Sequence, residues 1–137
     1  MKIVINDCFG GFGLSHKAVM LYAELKGITL YPFVNKDKKL DGKFKPYEDG
    51  DKILFSTPYY STRPLSENGE YEENSWFRPD DIDRTNEHLI QVVEKLGKEA
   101  NGECASLKII EIPDDIDYVI DEYDGNETVQ ESHRSWS

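Results

Sequence analysis

The chain has 137 residues, with 27 Asp and Glu against 16 Lys and Arg, a formal net charge of -11 and a sequence pI near 4.6. This length fits one domain, residues 1–137, which can build a core without a metal ion or a disulfide framework. Two cysteines are too few for a disulfide scaffold, no apolar run reaches the roughly 18 residues of a membrane span, and no secretory leader pattern follows Met1. We therefore expect a soluble protein in a reducing cytoplasm.

The charge is distributed unevenly along the chain. Residues 1–45 carry 8 basic and 4 acidic side chains, whereas residues 46–137 carry 8 basic and 23 acidic ones, so the two parts have net charges of +4 and -15. A strongly negative surface disfavours general nucleic-acid binding and docking on an anionic membrane. It leaves room for a small anionic ligand near the positive end, or for a row of carboxylates that binds the basic groove of another protein. The excess acidic residues can also serve solubility alone.

The first part of the chain predicts a strand, a helix and further strands. The apolar, β-branched run from Lys2 to Asn6 predicts an interior strand. Apolar residues at helical spacing then predict a helix with Ser15 as its N-cap and Gly27 as its stop. In chain order, the pattern next predicts a strand at 28–33, a polar, Lys-rich segment at 36–45 and a strand at 53–57.

The second part predicts a long loop, a helix, a strand and a hairpin. Residues 58–83 hold three of the six prolines and an acidic middle, which predicts a long loop that is functional or mobile. Thr85 is expected to cap a helix that ends near Gly97. A strand follows at 107–112, and the Asp124-Gly125 turn joins 116–123 to 128–131 in a hairpin. The order predicts an α+β fold, with two helices against a mixed or mostly antiparallel sheet and a long Pro-containing loop.

The most specific local feature is the glycine-rich turn C-F-G-G-F-G at 8–13, between the first strand and the first helix. Such a turn favours anions, because glycine lets backbone amides approach a ligand and the helix dipole adds positive potential. Neither the dinucleotide nor the triphosphate fingerprint is present. The alternative is a tight connection that needs glycine only for its backbone shape. The candidate ligand-binding residues here are Gly10, Gly11, Phe12, Gly13, Ser15, His16 and Lys17.

Two further regions combine arginine with aromatic residues. The chain ends in H-R-S-W-S, and an arginine that forks onto phosphate beside a stacking indole suits a nucleotide. Alternatively, this arginine pairs with a carboxylate and the tryptophan packs the tail onto the sheet. Arg63, Arg78 and Arg84 lie in or beside the long loop with several aromatic residues, which can close over a planar anion or anchor the loop. The candidates from these regions are Phe77, Arg78, His133, Arg134 and Trp136.

Catalytic and metal-binding patterns are weak. The aspartates between 114 and 124 lack the EF-hand loop signature, so they predict a solvated acidic hairpin without a metal ion. The three histidines and two cysteines have no zinc spacing. Cys8 with His16 or His133 is the only thiol and imidazole combination worth naming, and it has no third, orienting residue. The sequence therefore predicts a binding protein instead of an enzyme, with no cofactor.

Three segments carry a resemblance to a known group: IVINDCFGGFGLSHKA, VVEKLGKEANGECASLKIIEIPDDIDYVIDEYDG and ESHRSW, about half of the chain. In them the sequence resembles small acidic proteins encoded by bacteriophages and prophages. The resemblance implies counter-defence in the cytoplasm of a bacterial host. Two forms are relevant: anti-Thoeris sponges, which bind cyclic nucleotide signals, and anti-restriction or anti-CRISPR proteins, which mimic DNA with carboxylates. No functional residue is transferred from either.

The first hypothesis is a protein that sequesters a phosphate-bearing nucleotide immune signal without cleaving it. The ligand would be a cyclic ADP-ribose isomer or a cyclic dinucleotide, and a homo-oligomer follows if the site lies between subunits. The alternative is an acidic protein whose segments 67–73 and 114–124 occupy the nucleic-acid groove of a host defence nuclease. A third hypothesis is a small hydrolase or lyase that acts on nucleotides.

Overall fold

The computed structural model describes residues 1–9, 11–35, 44–48, 58–66, 75–103 and 105–131. Its elements follow the chain as β1 (Lys2–Asn6), α1 (His16–Lys26), β2 (Tyr31–Asn35), β3 (Phe44–Pro46), β4 (Tyr59–Ser61), β5 (Trp76–Phe77), a 3-10 turn (Pro79–Asp81), α2 (Glu87–Leu96), a second 3-10 turn (Gly97–Ala100), β6 (Leu107–Glu111), β7 (Tyr118–Tyr123) and β8 (Asn126–Glu131). The α+β class with two helices is thereby confirmed.

The strands of the described residues form three antiparallel sheets instead of the single sheet expected from the sequence. β1 pairs with β6, β7 pairs with β8, and the third sheet has the order β3-β2-β4-β5. In the first sheet Ile3 lies opposite Ile110, and in the last Ile120 lies opposite Val129. Every strand pair is antiparallel in the part of the chain described.

Helix α1 begins and ends where the sequence predicts. Ser15 Oγ accepts a hydrogen bond from the Ala18 amide, and Gly27 ends the helix in the left-handed conformation at φ 80°. The strand predicted at 28–33 begins only at Tyr31, because the Ile28 amide still donates to the Ala23 carbonyl of the helix end. This C-terminal motif delays the extended conformation by three residues.

Helix α2 begins one residue later than expected. Asn86 is the N-cap, and its Oδ1 accepts from the amides of His88 and Leu89. The Thr85 hydroxyl and amide instead donate to the Asp83 carboxylate, so the prediction of Thr85 as the cap is wrong. Asn is at least as good an N-cap as Thr, and here it occupies the position next to the first helical residue. The predicted end of this helix at Gly97 is confirmed.

The prediction of a long loop at 58–83 is wrong for the described parts of this segment. They contain β4, β5 and the first 3-10 turn, and the Thr62 amide donates to the Ser75 carbonyl across the sheet. β-Strands of two and three residues are too short to give a periodic sequence signal. The strand predicted at 53–57 and most of the Lys-rich segment at 36–45 lie outside the described residues.

The core lies between the two helices, β1 and the inner face of the β2–β5 sheet. Val4 from β1, Val19 and Tyr22 from α1, and Leu89 and Val92 from α2 are buried in one cluster. Ile3 and Ile5 are also fully buried, so β1 is covered on both faces, as its uninterrupted apolar run predicts. Among the described residues, no helix is long and apolar enough to cross a membrane.

Candidate functional site

The glycine-rich turn is packed tightly against the turn that follows α2. Gly11 has φ 102°, a conformation that favours glycine. The Gly102 amide donates to the Gly13 carbonyl at 2.9 Å, and a Cβ on Gly102 would lie 2.8 Å from the carbonyl carbon of Gly13. The Ser15 hydroxyl donates to the Glu99 carbonyl while it caps the helix. These contacts make the turn a tight connection between β1 and α1. Gly10 lies outside the described residues.

His16 and Lys17, the first residues of α1, have different environments. Lys17 Nζ lies 3.0 Å from the Glu99 carboxylate, and both side chains are more than half exposed. His16 Nδ1 lies 2.8 Å from the Tyr60 hydroxyl, and the His16 ring also contacts Tyr47 edge-on at 5.0 Å. Burial, and then the nearby Tyr47, raises the pKa of Tyr60 well above its usual range. The start of α1 is therefore joined to a buried, protonated phenol.

The candidate residues Phe77, in β5, and Arg78, directly after this strand, contact different aromatic residues. Phe77 is opposite Tyr60 in the β4–β5 register, and its ring stacks on Tyr22 at 6.2 Å. The Arg78 guanidinium lies over the Trp76 ring at 5.9 Å. The structure therefore brings Phe77 towards the His16 and Tyr60 pair and places Arg78 beside a different aromatic residue. His133, Arg134 and Trp136 lie outside the described residues.

Asn6, at the end of β1, is the centre of a buried polar network that the sequence did not predict. Its side chain is fully buried and donates to the carbonyls of Cys8 and Gly125, each at 2.7 Å. Its Oδ1 accepts from the Ser106 amide, and its own amide donates to the Glu127 carboxylate at 2.8 Å. Asn6 thus joins the end of β1 and the turn after it to the residue before β6 and to the β7–β8 hairpin.

Arg84 and Glu127 complete this network. The guanidinium binds the carboxylate with two hydrogen bonds of 2.6 and 3.0 Å, and it lies over the Phe12 ring at 3.5 Å. The Val4 amide donates to the Arg84 carbonyl at 2.9 Å. Of the two roles that the sequence leaves open for the arginines of this region, Arg84 has a structural one, because its charge is paired inside the protein. Neither residue stood in a local pattern that could have revealed this pair.

The described contacts do not join the thiol and imidazole considered for catalysis. Cys8 is a free cysteine of intermediate exposure, and it shares no hydrogen bond with His16 within the described residues. Within the same residues, no group of three His, Cys, Asp or Glu side chains is placed to hold a metal ion.

β7 and β8 form an acidic hairpin. We call residues 111–131, which comprise this hairpin and the segment that leads into it, the ribbon. It contains nine Asp and Glu residues and no Lys or Arg. Glu127 pairs with Arg84, and Asp114 pairs with the amino group of Met1. The other seven carboxylates have no hydrogen-bond or ion-pair partner in the described part of the chain: Glu111, Asp115, Asp117, Asp121, Glu122, Asp124 and Glu131.

The two faces of the ribbon differ in exposure. Glu127 and Val129 point towards the body of the protein, while Val119, Asp121 and Tyr123 alternate on the outer face of β7 and are exposed. At the turn, Tyr123 is 79% exposed and meets Phe9, which is 58% exposed, edge to face at 6.5 Å between ring centroids. An exposed aromatic pair therefore sits at the end of a strongly negative hairpin.

Removing the Glu127 carboxylate will destabilise the protein strongly. Glu127→Ala leaves the guanidinium of Arg84 and the Asn6 amide without their acceptor, and we expect a loss of about 3–5 kcal/mol in the free energy of unfolding. Glu99→Ala is the matched control, because it breaks the exposed pair with Lys17, and it should cost no more than about 1 kcal/mol. Urea unfolding measures both, and equal losses would contradict a stabilising role for the buried network.

The raised pKa of Tyr60 predicts loss of stability in alkali. The folded chain holds the Tyr60 proton more tightly than the unfolded chain does. The contribution of this group to the free energy of unfolding is therefore complete below the ordinary pKa of 10.0 and declines as pH rises above it. The slope reaches at most about 1.4 kcal/mol per pH unit. Tyr60→Phe should flatten the stability profile between about pH 9 and about pH 11. Tyr31→Phe, at an exposed tyrosine, should keep the native slope, and an unchanged slope in Tyr60→Phe would refute the assignment.

Comparison with known proteins identifies no relative of the chain. No family model, curated protein or solved structure matches the chain. The function is therefore argued from the contacts and charges described above.

Proposed function

We propose that this chain is a counter-defence protein that binds the nucleic-acid groove of a host nuclease through its acidic ribbon. The observation that carries the proposal is the set of seven exposed carboxylates of the ribbon that have no partner in the described part of the chain. A surface charge that served only solubility would be spread over the molecule and interspersed with Lys and Arg. Here nine acidic residues lie between 111 and 131, and no basic residue lies among them.

The charge density of the ribbon supports a polyanion-like role. A six-residue strand is about 20 Å long, and duplex DNA carries about 12 phosphate charges over that length. Four of the seven unpaired carboxylates, Asp121, Glu122, Asp124 and Glu131, lie on the hairpin itself, about a third of this number, and the other three lie in the segment that leads into it. A basic groove that binds DNA would therefore experience a field of the same sign from the ribbon.

The attachment of the ribbon supports the proposal as well. The pair of Arg84 and Glu127, with the hydrogen bond from Asn6 to the Gly125 carbonyl, fixes the inner face of the hairpin to the body of the protein. A fixed ribbon loses little conformational entropy when it binds. The resemblance to bacteriophage proteins supplies the class of partner, a nuclease of bacterial defence.

Nucleotide sequestration is the second candidate, favoured by the start of α1. Within the described residues the Lys17 amide has no acceptor, and the His16 imidazole beside it is oriented by Tyr60. A first-turn amide and an imidazole suit a phosphate group. The contribution of His133, Arg134 and Trp136, and a homo-oligomer, remain predictions.

The ribbon proposal predicts inhibition that depends on specific carboxylates. A variant with Asp115→Asn, Asp117→Asn and Asp121→Asn should weaken inhibition of a nuclease at least about tenfold, since it removes three charges from the interface. The assay measures cleavage of a labelled DNA duplex by purified restriction endonucleases and an RNA-guided nuclease at about 50 and about 200 mM salt. Native inhibition should weaken with salt.

The control for this experiment removes three acidic charges elsewhere. Glu24→Gln, Asp81→Asn and Glu87→Gln alter exposed residues on α1, the first 3-10 turn and α2 and preserve the ribbon. The control should inhibit like the native chain. Equal weakening by both triple variants, or no inhibition by the native chain of any nuclease in the panel, would contradict the proposal.

The nucleotide candidate predicts thermal stabilisation by its ligand. Cyclic ADP-ribose isomers, cyclic dinucleotides and linear nucleotides are tested at about 100 times the dissociation constant, where one ligand adds about 2.7 kcal/mol and several degrees. His16→Ala should reduce the shift, because it removes the imidazole and keeps the Lys17 amide, and Lys95→Ala on α2 should not. Chromatography should recover the ligand intact, whereas an altered ligand would indicate an enzyme. No shift with any nucleotide would exclude this candidate.

A further inference from the structure

We infer that the turn end of the ribbon binds an arginine side chain of the basic partner, an inference that rests on the proposed function and specifies it. The site consists of the exposed rings of Phe9 and Tyr123, with the carboxylates of Asp121, two residues before Tyr123 on the same face of β7, and Asp124 at the turn. Neither carboxylate has a partner in the residues that the structure describes. Aromatic rings and free carboxylates together are the groups that a guanidinium contacts.

The interior of the same protein shows this chemistry with the cation in place. The guanidinium of Arg84 lies 3.5 Å from the centre of the Phe12 ring while it makes two hydrogen bonds to Glu127. Phe12 and Phe9 belong to the same turn, and Glu127 and Asp121 belong to the two strands of the same hairpin. The turn end of the ribbon therefore carries the same two kinds of group, exposed and without an internal cation.

Arginine fits this site better than lysine. A guanidinium is planar, stacks on an aromatic face and can donate two parallel hydrogen bonds to one carboxylate. An ammonium group is more strongly hydrated and acts as a point charge. A surface that recognised charge alone would not distinguish the two, so the aromatic pair gives the ribbon a selectivity that its carboxylates lack.

The backbone holds the turn end in one conformation. Asp124 and Gly125 have φ values of 53° and 88°, the two positive values of a tight two-residue hairpin turn. The Gly125 carbonyl accepts from the buried Asn6 side chain at 2.7 Å. The site is therefore formed before a partner arrives. A second copy of this chain is an unsuitable occupant, because its net charge of -11 repels another.

The experiment compares two peptides of equal charge, octa-arginine and octa-lysine. Fluorescence anisotropy of the labelled peptides measures their affinity for the native chain at about 50 mM salt. Octa-arginine should bind about three- to fivefold more tightly than octa-lysine, the increment of an exposed cation–π contact. Tyr123→Leu should bring the octa-arginine affinity down to the octa-lysine value and leave octa-lysine binding unchanged, and Phe9→Leu should act in the same direction.

Tyr31→Leu is the matched control. Tyr31 lies on β2 and is 38% exposed, so its replacement should preserve the preference for arginine. Equal binding of the two native peptides, or a preference that survives Tyr123→Leu, would overturn the inference while salt-dependent binding still supported the acidic ribbon. No binding of either peptide would overturn both the inference and the proposed function.

Discussion

The hydrogen bonds of one buried side chain, Asn6, hold the turn of the acidic ribbon in place. A buried amide must satisfy its donors and acceptor, because an unpaired polar group in the interior costs about 1–3 kcal/mol. Asn6 does so through the carbonyls of Cys8 and Gly125 and the amide of Ser106. This requirement fixes the glycine-rich turn, the start of β6 and the turn of the hairpin relative to β1. The ribbon is therefore attached at its turn, where a free hairpin would be most mobile.

Charge pairing separates the acidic residues that stabilise the fold from those available to a partner. Glu127 is buried, and Arg84 neutralises it from within. The exposed carboxylates of the hairpin, Asp121, Glu122, Asp124 and Glu131, have no such cation in the described residues. The position of Glu127 beside Arg84 and the Asn6 amide produces this division, because Glu122 lies opposite Glu127 and is nevertheless exposed. One hairpin thus contributes both an internal ion pair and an exposed anionic surface.

The sequence predicts those parts of the fold that depend on local physics. The interior strand β1, the Ser15 cap, the Gly27 and Gly97 helix ends and the Asp124-Gly125 hairpin follow from apolar periodicity and from backbone preferences of single residues. The short strands β4 and β5 do not, because their pairing is decided by residues distant in the chain. The role of Arg84 is hidden for the same reason: its carboxylate is 43 residues away.

The candidate site could be predicted only in part. The glycine-rich turn has the composition of an anion site, and its sequence cannot reveal that Gly13 is covered by Gly102. The acidic hairpin was recognisable from composition and turn signals, but its two faces become distinct only once Glu127 is seen to be buried. Local patterns therefore identified both regions, and tertiary contacts decided which one presents free charged groups.

The wide sequence separation of the Asn6 contacts has a consequence for biosynthesis. The hydrogen bonds from Asn6 to Gly125 and Glu127 join residues 119 and 121 positions apart. At about 5–20 residues per second, a ribosome needs on the order of 6–25 seconds to produce the second partner after the first. Until β6 follows, Ile3, Val4 and Ile5 have neither their β6 neighbours nor their final cover. The nascent chain thus carries an apolar segment that chaperones can bind, and β1 is completed only after β6 and the hairpin have been synthesised.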